Sequence, residues 1–351
     1  MITEVFLQKK DFFILDSLKC LRYDNSQNNC SKCMDICDFD AITVFKKKIK
    51  LEESLCTNCA ECIGSCPTEA LSLETFDSTS FVLDFVQKET NTIKDGLDIP
   101  TLAILDAHHI VSMILRKKDN LNLVASSQTK EKVIEYITKK IDISNEFLNQ
   151  IQSPYRASLD IIDIDYDIKK RGLLRNILNI SKEIRSDEKL SNHLQKTEKL
   201  VPPKVTLFKN SLKLIADEIE VETIGTVKGL IANKKIDFLT CTNCGECAHF
   251  CPTEALFRTS ANDGIYFQSG KCIGCGVCKM VCESNSITSP SSVDIGRFIF
   301  DQADLLVSYE YHTCKECKTS FAYKGIRDIC DRCATYKDDF ASMFVMAKDI
   351  H

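Results

Sequence analysis

The chain contains 351 residues with a formal net charge of -5, and 44% of its residues are hydrophobic and 27% charged. This composition is that of a folded globular protein, and it excludes disordered and collagen-like chains. No apolar run approaches the length of a membrane span, and no basic stripe indicates nucleic-acid binding. Residues 1–10 lack the pattern of an export signal, so we expect a cytoplasmic protein without a transmembrane segment and without a nucleic-acid partner.

Cysteine is the unusual component, with 20 residues in a chain that we expect in a reducing compartment. Disulfides are disfavoured there, so metal ligation is the expected use of these thiols. The cysteines divide into five groups of four with none left over, whereas scattered structural cysteines would not. In chain order the groups are Cys20, Cys30, Cys33 and Cys37; Cys56, Cys59, Cys62 and Cys66; Cys241, Cys244, Cys247 and Cys251; Cys272, Cys275, Cys278 and Cys282; and Cys314, Cys317, Cys330 and Cys333.

The first two groups lie within residues 1–75, the first predicted domain. The second group has the spacing C-x2-C-x2-C-x3-C. The first group departs from this spacing, because nine residues separate Cys20 from Cys30. These residues, 21–29, are polar and rich in Asn, so we expect an insertion that lies at the surface.

Residues 76–185 contain no cysteine and alternate between helical and strand patterns. The patterns predict helices at 78–89, 108–118, 130–140 and 169–184, and strands at 99–107, 121–126 and 158–166. Such alternation is typical of a small parallel α/β domain. Neither GxGxxG nor GxxxxGK[ST] is present, so we expect a scaffold or docking domain and not a nucleotide site.

Three further features of the middle of the chain have structural interpretations. His108 and His109 follow a predicted strand, where α/β folds often place functional groups, but we interpret them as a helix-start pair packed against the sheet. The basic segment 169–178 is interpreted as a solvated helix face, with contact to a partner or an acidic membrane surface as the alternative. Residues 186–235 are charge-rich and predict a helical connector.

Residues 236–290 contain the third and fourth groups, both spaced C-x2-C-x2-C-x3-C. Proline follows two of the three groups that share this spacing, as Pro67 and Pro252. These motifs resemble those of the bacterial two-cluster [4Fe-4S] ferredoxin family, and they do so twice, at residues 15–75 and 236–290.

The resemblance implies that the last cysteine of each group binds the cluster held by the other group of its pair. The implied ligand sets are site 1 (Cys20, Cys30, Cys33 and Cys66), site 2 (Cys37, Cys56, Cys59 and Cys62), site 3 (Cys241, Cys244, Cys247 and Cys282) and site 4 (Cys251, Cys272, Cys275 and Cys278). Four [4Fe-4S] clusters are therefore expected. Without Cys20, site 1 would hold a three-iron cluster or an iron with an open position.

Two other metal motifs fit these sixteen cysteines poorly. Zinc sites usually combine two C-x2-C pairs across a longer gap, and three thiols at x2 and x2 crowd a tetrahedral ion. A radical-SAM motif requires C-x3-C-x2-C, and the spacing from Cys30 to Cys37 runs in the opposite order.

The fifth group, within residues 291–351, consists of two C-x2-C pairs twelve residues apart. This is the arrangement of a zinc ribbon, so we expect one Zn bound by Cys314, Cys317, Cys330 and Cys333. A rubredoxin-type iron is the alternative, but both pairs lack the Pro and Gly that are usual around that metal. His312 is interpreted as a bystander.

The predicted fold is α+β, with two ferredoxin-like 2[4Fe-4S] modules separated by a small α/β domain and a connector, and a C-terminal zinc ribbon. No flavin, nicotinamide or haem motif and no catalytic constellation is recognisable, so we predict no catalytic residue and no enzyme. The negative charge of thiolate-bound clusters favours low potentials unless positive residues compensate, and it favours docking through basic patches on the partner.

We therefore expect an electron-transfer protein, a polyferredoxin that relays single electrons to or from a larger oxidoreductase. A formate dehydrogenase or hydrogenase complex is the expected partner by analogy. The alternative is a redox-sensing or maturation protein that recognises its partner through the zinc ribbon and the α/β domain.

Overall fold

The computed structural model describes residues 7–10, 12–25, 28–163, 201–259 and 264–340. The N-terminal part contains β1 (Leu7–Lys10), β2 (Phe13–Asp16), α1 (Leu21–Asp24), α2 (Lys32–Asp35), β3 (Ile42–Phe45), β4 (Lys48–Leu51) and β5 (Leu71–Leu73). Strands β1, β2 and β5 form an antiparallel sheet in that order, and β3 and β4 form a separate hairpin. Both sheets are therefore small, and the segments between their strands carry the first eight cysteines.

The middle of the chain forms a parallel α/β unit. Its elements are α3 (Ser78–Phe85), β6 (Thr92–Lys94), α4 (Ala107–Lys117), β7 (Leu121–Ser126), α5 (Glu131–Gln150) and β8 (Ala157–Ile162). The strands are all parallel, in the order β6-β7-β8. The prediction of a parallel sheet is confirmed, and α5 ends ten residues beyond the end of the predicted helix 130–140. The predicted helix 169–184, with its basic segment, lies outside the described residues.

The predicted strand 99–107 is wrong, because residues Leu102–Ile104 form a buried 3-10 turn. The Thr101 side chain accepts a hydrogen bond from the Ala103 amide, and the Asp95 carboxylate accepts one from the Leu102 amide at 2.7 Å. These side-chain bonds give the backbone an alternative to a strand ladder. The apolar residues are buried on all sides, so their pattern resembles that of a buried strand.

The described part of the predicted connector 186–235 includes a core helix, α6 (Pro203–Lys213). Phe208 is fully buried, with its ring centroid 5.2 Å from that of Phe147 in α5 and 5.8 Å from that of Phe298. Helix α6 therefore packs between the α/β unit and the C-terminal part. Residues 186–200 lie outside the described residues.

The remaining elements are β9 (Thr223–Gly225), β10 (Lys235–Ile236), α7 (Glu246–His249), β11 (Leu256–Arg258), β12 (Gly264–Phe267), α8 (Val277–Met280), β13 (Ile287–Thr288), β14 (Ser292–Asp294), α9 (Ile295–Ile299), β15 (Asp304–Ser308), β16 (Glu310–Thr313), β17 (Ser320–Tyr323) and α10 (Asp331–Phe340). Strand β10 pairs with β13, β11 pairs with β12, and β15 extends the latter sheet. Strands β16 and β17 form a hairpin, and β14 pairs with β9.

The two regions that carry the first sixteen cysteines share one pattern of strand pairing. In each, the strand before the first cysteine group pairs with the strand after the second group: β2 with β5, and β10 with β13. The two strands between the groups pair with each other, as β3 with β4 and β11 with β12. All four pairings are antiparallel, so the paired cysteine groups of each region are brought to the same place.

Apolar packing divides the molecule into two cores. One continuous core joins the N-terminal sheets, the α/β unit, α6 and α9. A second, smaller core lies within the region of β10 to β15. Among the described residues, no helix is long and apolar enough to cross a bilayer.

Candidate metal centres

Site 1 is a cavity lined by its four predicted cysteines. The remaining wall is mostly apolar and includes Leu15, Ile49 and Leu71. Burial, together with the neighbouring thiols of Cys66 and Cys30, raises the pKa of the Cys20 thiol to about 11. The structure therefore brings Cys20 to the same cavity as the other three cysteines, in spite of its irregular spacing.

The insertion 21–29 was predicted to lie at the surface, but several of its described residues are buried. Its Arg22 and Asn28 side chains are buried, at 8% and 4% exposure. Arg22 Nε donates to the Cys30 carbonyl at 2.6 Å, and Asn28 Oδ1 accepts from the Cys30 amide at 2.9 Å. These polar residues are buried because they fold back and satisfy the backbone of Cys30. The insertion thereby closes the gap between Cys20 and Cys30.

The cysteines of site 2 surround Cys62. Burial raises the pKa of the Cys62 thiol well above its usual value, and the nearby thiols of Cys33, Cys59, Cys37 and Cys56 raise it further. Four of these five residues are the predicted site 2 ligands, and Cys33 belongs to site 1. Sites 1 and 2 are therefore neighbours, and Cys37 lies with the group that follows it in sequence.

Sites 3 and 4 repeat this arrangement in the C-terminal region. The four cysteines of site 3 line one cavity, and those of site 4 line another. Burial, together with the thiols of the same site, raises the pKa values of Cys247 and Cys278 to about 12. The Cys278 thiol is also influenced by Cys247, so these two sites are neighbours as well.

Three of the four cysteine loops share one backbone conformation. The second and fourth residues after the first cysteine have positive φ: Asn58 and Ala60, Asn243 and Gly245, and Gly274 and Gly276. Asn and Gly tolerate this left-handed region best, and only Ala60 departs from that preference. Among the described residues of the loop that contains the insertion, 20–25 and 28–37, none has positive φ.

The last cysteine of three groups is held by a common set of hydrogen bonds. The Sγ atoms of Cys66 and Cys282 each accept a backbone N–H from the residue four positions later, at 3.3 Å. The Sγ of Cys251 accepts one from Leu256 at 3.5 Å. A hydroxyl two residues after each cysteine also lies within 3.9 Å of its sulfur. Such donors stabilise a thiolate, so these loops suit a negatively charged metal ligand.

The fifth group has a more compact geometry. The four Sγ atoms, at the β16–β17 hairpin and the start of α10, all lie within 4.8 Å of one another, and those of Cys317 and Cys330 are 3.7 Å apart. A tetrahedron with metal–sulfur bonds of about 2.3 Å has sulfur atoms about 3.8 Å apart. Hydrogen bonds from Thr319 lower the pKa of Cys317 to about 6. His312 is outside this group and stacks on Tyr323 at 4.0 Å.

The difference between the fifth group and the other four bears on the kind of metal each can hold. In the described ranges, no other set of three or more ligand atoms is packed as closely as the fifth group. Sites 1, 3 and 4 instead place four sulfurs around a cavity. A polynuclear core binds each thiolate at a different metal, so it requires wider spacing than a single ion. The donor sets fit an iron–sulfur core in the cavities and one ion in the compact group.

Helix α6 contacts both cysteine regions. Lys204 Nζ donates to the carbonyl of Cys66 at 2.6 Å. Lys209 Nζ pairs with Asp301 at 2.6 Å, and a Cβ on Gly270 would lie 3.1 Å from Lys209 Cδ. Gly270 is two residues before Cys272, so α6 spans from site 1 to the loop of site 4. These contacts were not predicted, because they join residues far apart in sequence, 138 positions for Lys204 and Cys66 and 92 for Lys209 and Asp301.

His108 and His109 begin α4 and are both buried, as predicted for a structural pair. His109 Nδ1 accepts from the backbone N–H of Asp106 at 3.0 Å, and Asp106 is the N-cap of the helix. The His108 ring packs edge-on against Phe208 at 5.5 Å. Neither histidine lines a metal cavity described above.

Comparisons with known proteins agree with the second cysteine region. Residues 233–283 match the family model described as a 4Fe-4S dicluster domain. The chain is also similar to an uncharacterized ferredoxin of Methanocaldococcus jannaschii, with 25% identity over 116 residues, which is 32% of this chain and 79% of the relative. These findings and the cysteine geometry identify a metal-binding iron–sulfur protein with a 4Fe-4S dicluster domain of the ferredoxin type at residues 233–283.

Proposed function

We propose that the chain is an electron-transfer protein of the polyferredoxin type, which carries four [4Fe-4S] clusters and relays single electrons to or from a larger oxidoreductase. The observation that carries this proposal is the exchange of cysteines between neighbouring groups. Cys66 lines the cavity of site 1 and Cys251 that of site 4, each away from the rest of its own group. Two-cluster ferredoxins use this exchange.

The cysteines of sites 1 to 4 are the proposed cluster ligands, in the sets given above. A [4Fe-4S] cluster with four thiolate ligands supplies one-electron transfer and leaves no coordination position for a substrate. The protein binds the core through its thiolates, excludes water with apolar walls such as Leu15 and Leu71, and donates N–H bonds to sulfur. This division of roles suits a carrier and not a catalyst.

The second region supports the same role through its similarity to a dicluster domain. The assignment of the first region depends on the shared strand pairing and on the cavity of site 1. Helix α6 supports a relay between the two regions. Its contacts at Lys204 and Lys209 are five residues apart, which corresponds to about 7.5 Å along a helix axis.

For the compact fifth group we propose one structural Zn. Four thiolates bound to one zinc ion leave no position for a substrate, so the ion would stabilise the β16–β17 hairpin and the start of α10. This segment is small and mostly exposed, and small domains of this kind commonly depend on a metal.

The partner remains a proposal by analogy, an oxidoreductase complex of the formate dehydrogenase or hydrogenase type. The partner would exchange electrons with the cluster nearest its docking surface. A partner that docks through a basic patch would complement the negative charge of this chain, which is -5 before any cluster is bound.

Anaerobic purification with iron, sulfide and zinc analysis tests the proposal. Four clusters and one zinc ribbon require about 16 iron, about 16 sulfide and one zinc per chain. About 12 iron would show that one of the four sites holds no cluster. A colourless protein that binds about five zinc ions would contradict the proposal.

Electron transfer is tested separately from cluster content. The reduced protein should give EPR signals of [4Fe-4S]+ clusters and should pass electrons rapidly to a low-potential acceptor such as methyl viologen. Full iron content with slow transfer, and partner binding that changes when the clusters are removed, would favour the redox-sensing alternative.

A further inference from the structure

A buried ion pair lies beside site 1. Lys204, on α6, is 2% exposed, and its Nζ contacts Asp106 Oδ2 at 2.6 Å and the carbonyl of Cys66 at 2.6 Å. Asp106 is 4% exposed and caps α4. A fixed positive charge and a fixed negative charge therefore lie next to a proposed cluster ligand, in a region from which water is largely excluded.

The surroundings keep both groups charged and in place. Lys140 Nζ pairs with the other oxygen of Asp106, Oδ1, at 2.8 Å. The Glu69 carboxylate accepts from the Lys204 backbone N–H at 3.2 Å, and the Lys32 side chain lines the cavity of site 1. Buried ions are stable only when paired and hydrogen-bonded in this way.

The other cavities differ in their charge. No Lys or Arg lines the cavity of site 3, where Glu246 is the one charged residue in the wall. The cavity of site 4 is lined by Lys234, whose Nζ donates to Ser289 Oγ at 3.0 Å. Among these three cavities, only site 1 is next to a fully buried lysine that is also bonded to a ligand's backbone.

A charge beside a cluster ligand changes the reduction potential of the cluster. Reduction adds one electron to a core that is already negative with its thiolates, so a nearby cation favours the reduced form and a nearby anion opposes it. The interaction is stronger in a site of low dielectric than in water.

We propose that the Lys204–Asp106 pair sets the reduction potential of the cluster at site 1, with the lysine raising this potential and the aspartate lowering it. This inference rests on the proposed function, because it requires a cluster at site 1. Both residues act on the cluster only through their charge. Neither is a cluster ligand or a catalytic residue.

An EPR-monitored redox titration of the anaerobically purified full chain tests the inference. Lys204→Met should shift one of the titrating components to lower potential, and Asp106→Asn should shift the same component to higher potential. The double variant should return it to an intermediate value. Both single variants should fold. In Lys204→Met, Asp106 keeps its ion pair with Lys140, and in Asp106→Asn the new asparagine is a good N-cap for α4.

Two controls separate charge from structure. Lys204→Arg keeps the cation, so the component should stay closer to its wild-type potential than in Lys204→Met. Lys118→Met removes a lysine from the exposed pair with Glu218 and should move no component. Structural damage would shift the two single variants in the same direction, whereas charge shifts them in opposite directions.

The outcomes are distinguishable from those of the proposed function. Full iron content in every variant, with all components unmoved or with both single variants moved in one direction, overturns this inference alone. A wild-type chain without iron overturns the proposed function, and the inference with it.

Discussion

Gly64 tests how tightly the loop of site 2 packs against the α/β unit. It lies between Cys62 and Cys66, and a Cβ at this position would lie 2.3 Å from the carbonyl oxygen of Ala103 and 2.8 Å from that of Ile104. Its φ is not in the left-handed region, so the requirement for glycine is one of space. Both obstructing atoms belong to backbone, which cannot rotate away as a side chain does.

The expected cost of Gly64→Ala follows from that overlap. Forcing one methyl group into a packed interior typically costs 1–3 kcal/mol, and an overlap with two backbone carbonyls places this substitution at about 3 kcal/mol. For a domain of 150–250 residues, about 1 kcal/mol lowers Tm by roughly 2–4 °C, so we expect a loss of about 6–12 °C. Thermal unfolding of the cluster-loaded protein, followed by far-UV circular dichroism without oxygen, measures it.

Gly229→Ala is the matched control. Gly229 has φ +88°, and a Cβ there would meet nothing within 4 Å. Its substitution adds backbone strain of about 1–2 kcal/mol without overlap. If Gly64→Ala loses no more stability than Gly229→Ala, the cluster loop does not pack against the Leu102–Ile104 turn as described, and the argument from overlap is refuted.

Three further predictions concern metal content, pH and the core. Cys317→Ala should abolish zinc binding, whereas the visible absorbance of the iron–sulfur sites should persist. Loss of both would contradict the conclusion that the fifth group is a metal centre separate from the other sites. Burial lowers the pKa of His109 to about 3, so below about pH 6.5 the unfolded chain binds a proton that the folded chain excludes, and stability falls with pH by up to about 1.4 kcal/mol per unit. Urea midpoints between pH 7 and 5.5 measure this slope, which His109→Asn should reduce; an unchanged slope would contradict the assignment. Phe208→Ala should lower the free energy of unfolding by about 3–5 kcal/mol, because the Phe208 ring packs between those of Phe147 and Phe298. The urea midpoint at pH 7 measures this loss. A loss below about 1 kcal/mol would show that α6 is not a core helix.

The division of the cysteines into five groups follows from their spacing, whereas the exchange of the last cysteine between paired groups was implied by the resemblance to two-cluster ferredoxins. Where the spacing was irregular, prediction was weaker. The insertion 21–29 contains mostly polar residues, which predict exposure, but Arg22 and Asn28 are buried because each bonds to the backbone of Cys30. A partner on the main chain leaves no trace in the composition of a segment.

Tertiary contacts account for the other errors. The apolar run 99–107 reads as a strand, yet the Asp95 carboxylate and the Thr101 hydroxyl hold its middle in a 3-10 turn. The role of α6 was also not predictable, since a Pro-Pro pair and a charged composition are typical of a connector. The helix belongs to the core because the Phe208 ring packs against the rings of Phe147 and Phe298. Both rings are distant from Phe208 in sequence, so the sequence of α6 alone does not reveal this contact.

Helix α6 contacts both cysteine regions and thereby fixes their relative position. The first region shares a continuous core with the α/β unit, whereas the second has a core of its own. The proposed relay between the two regions requires a fixed distance between them, because electron transfer weakens steeply with separation. The Lys204 contact with Cys66 and the Lys209 pair with Asp301 hold one rigid helix against both regions. The α/β unit, which lacks a phosphate motif, thereby acquires a role as the support on which α6 is packed.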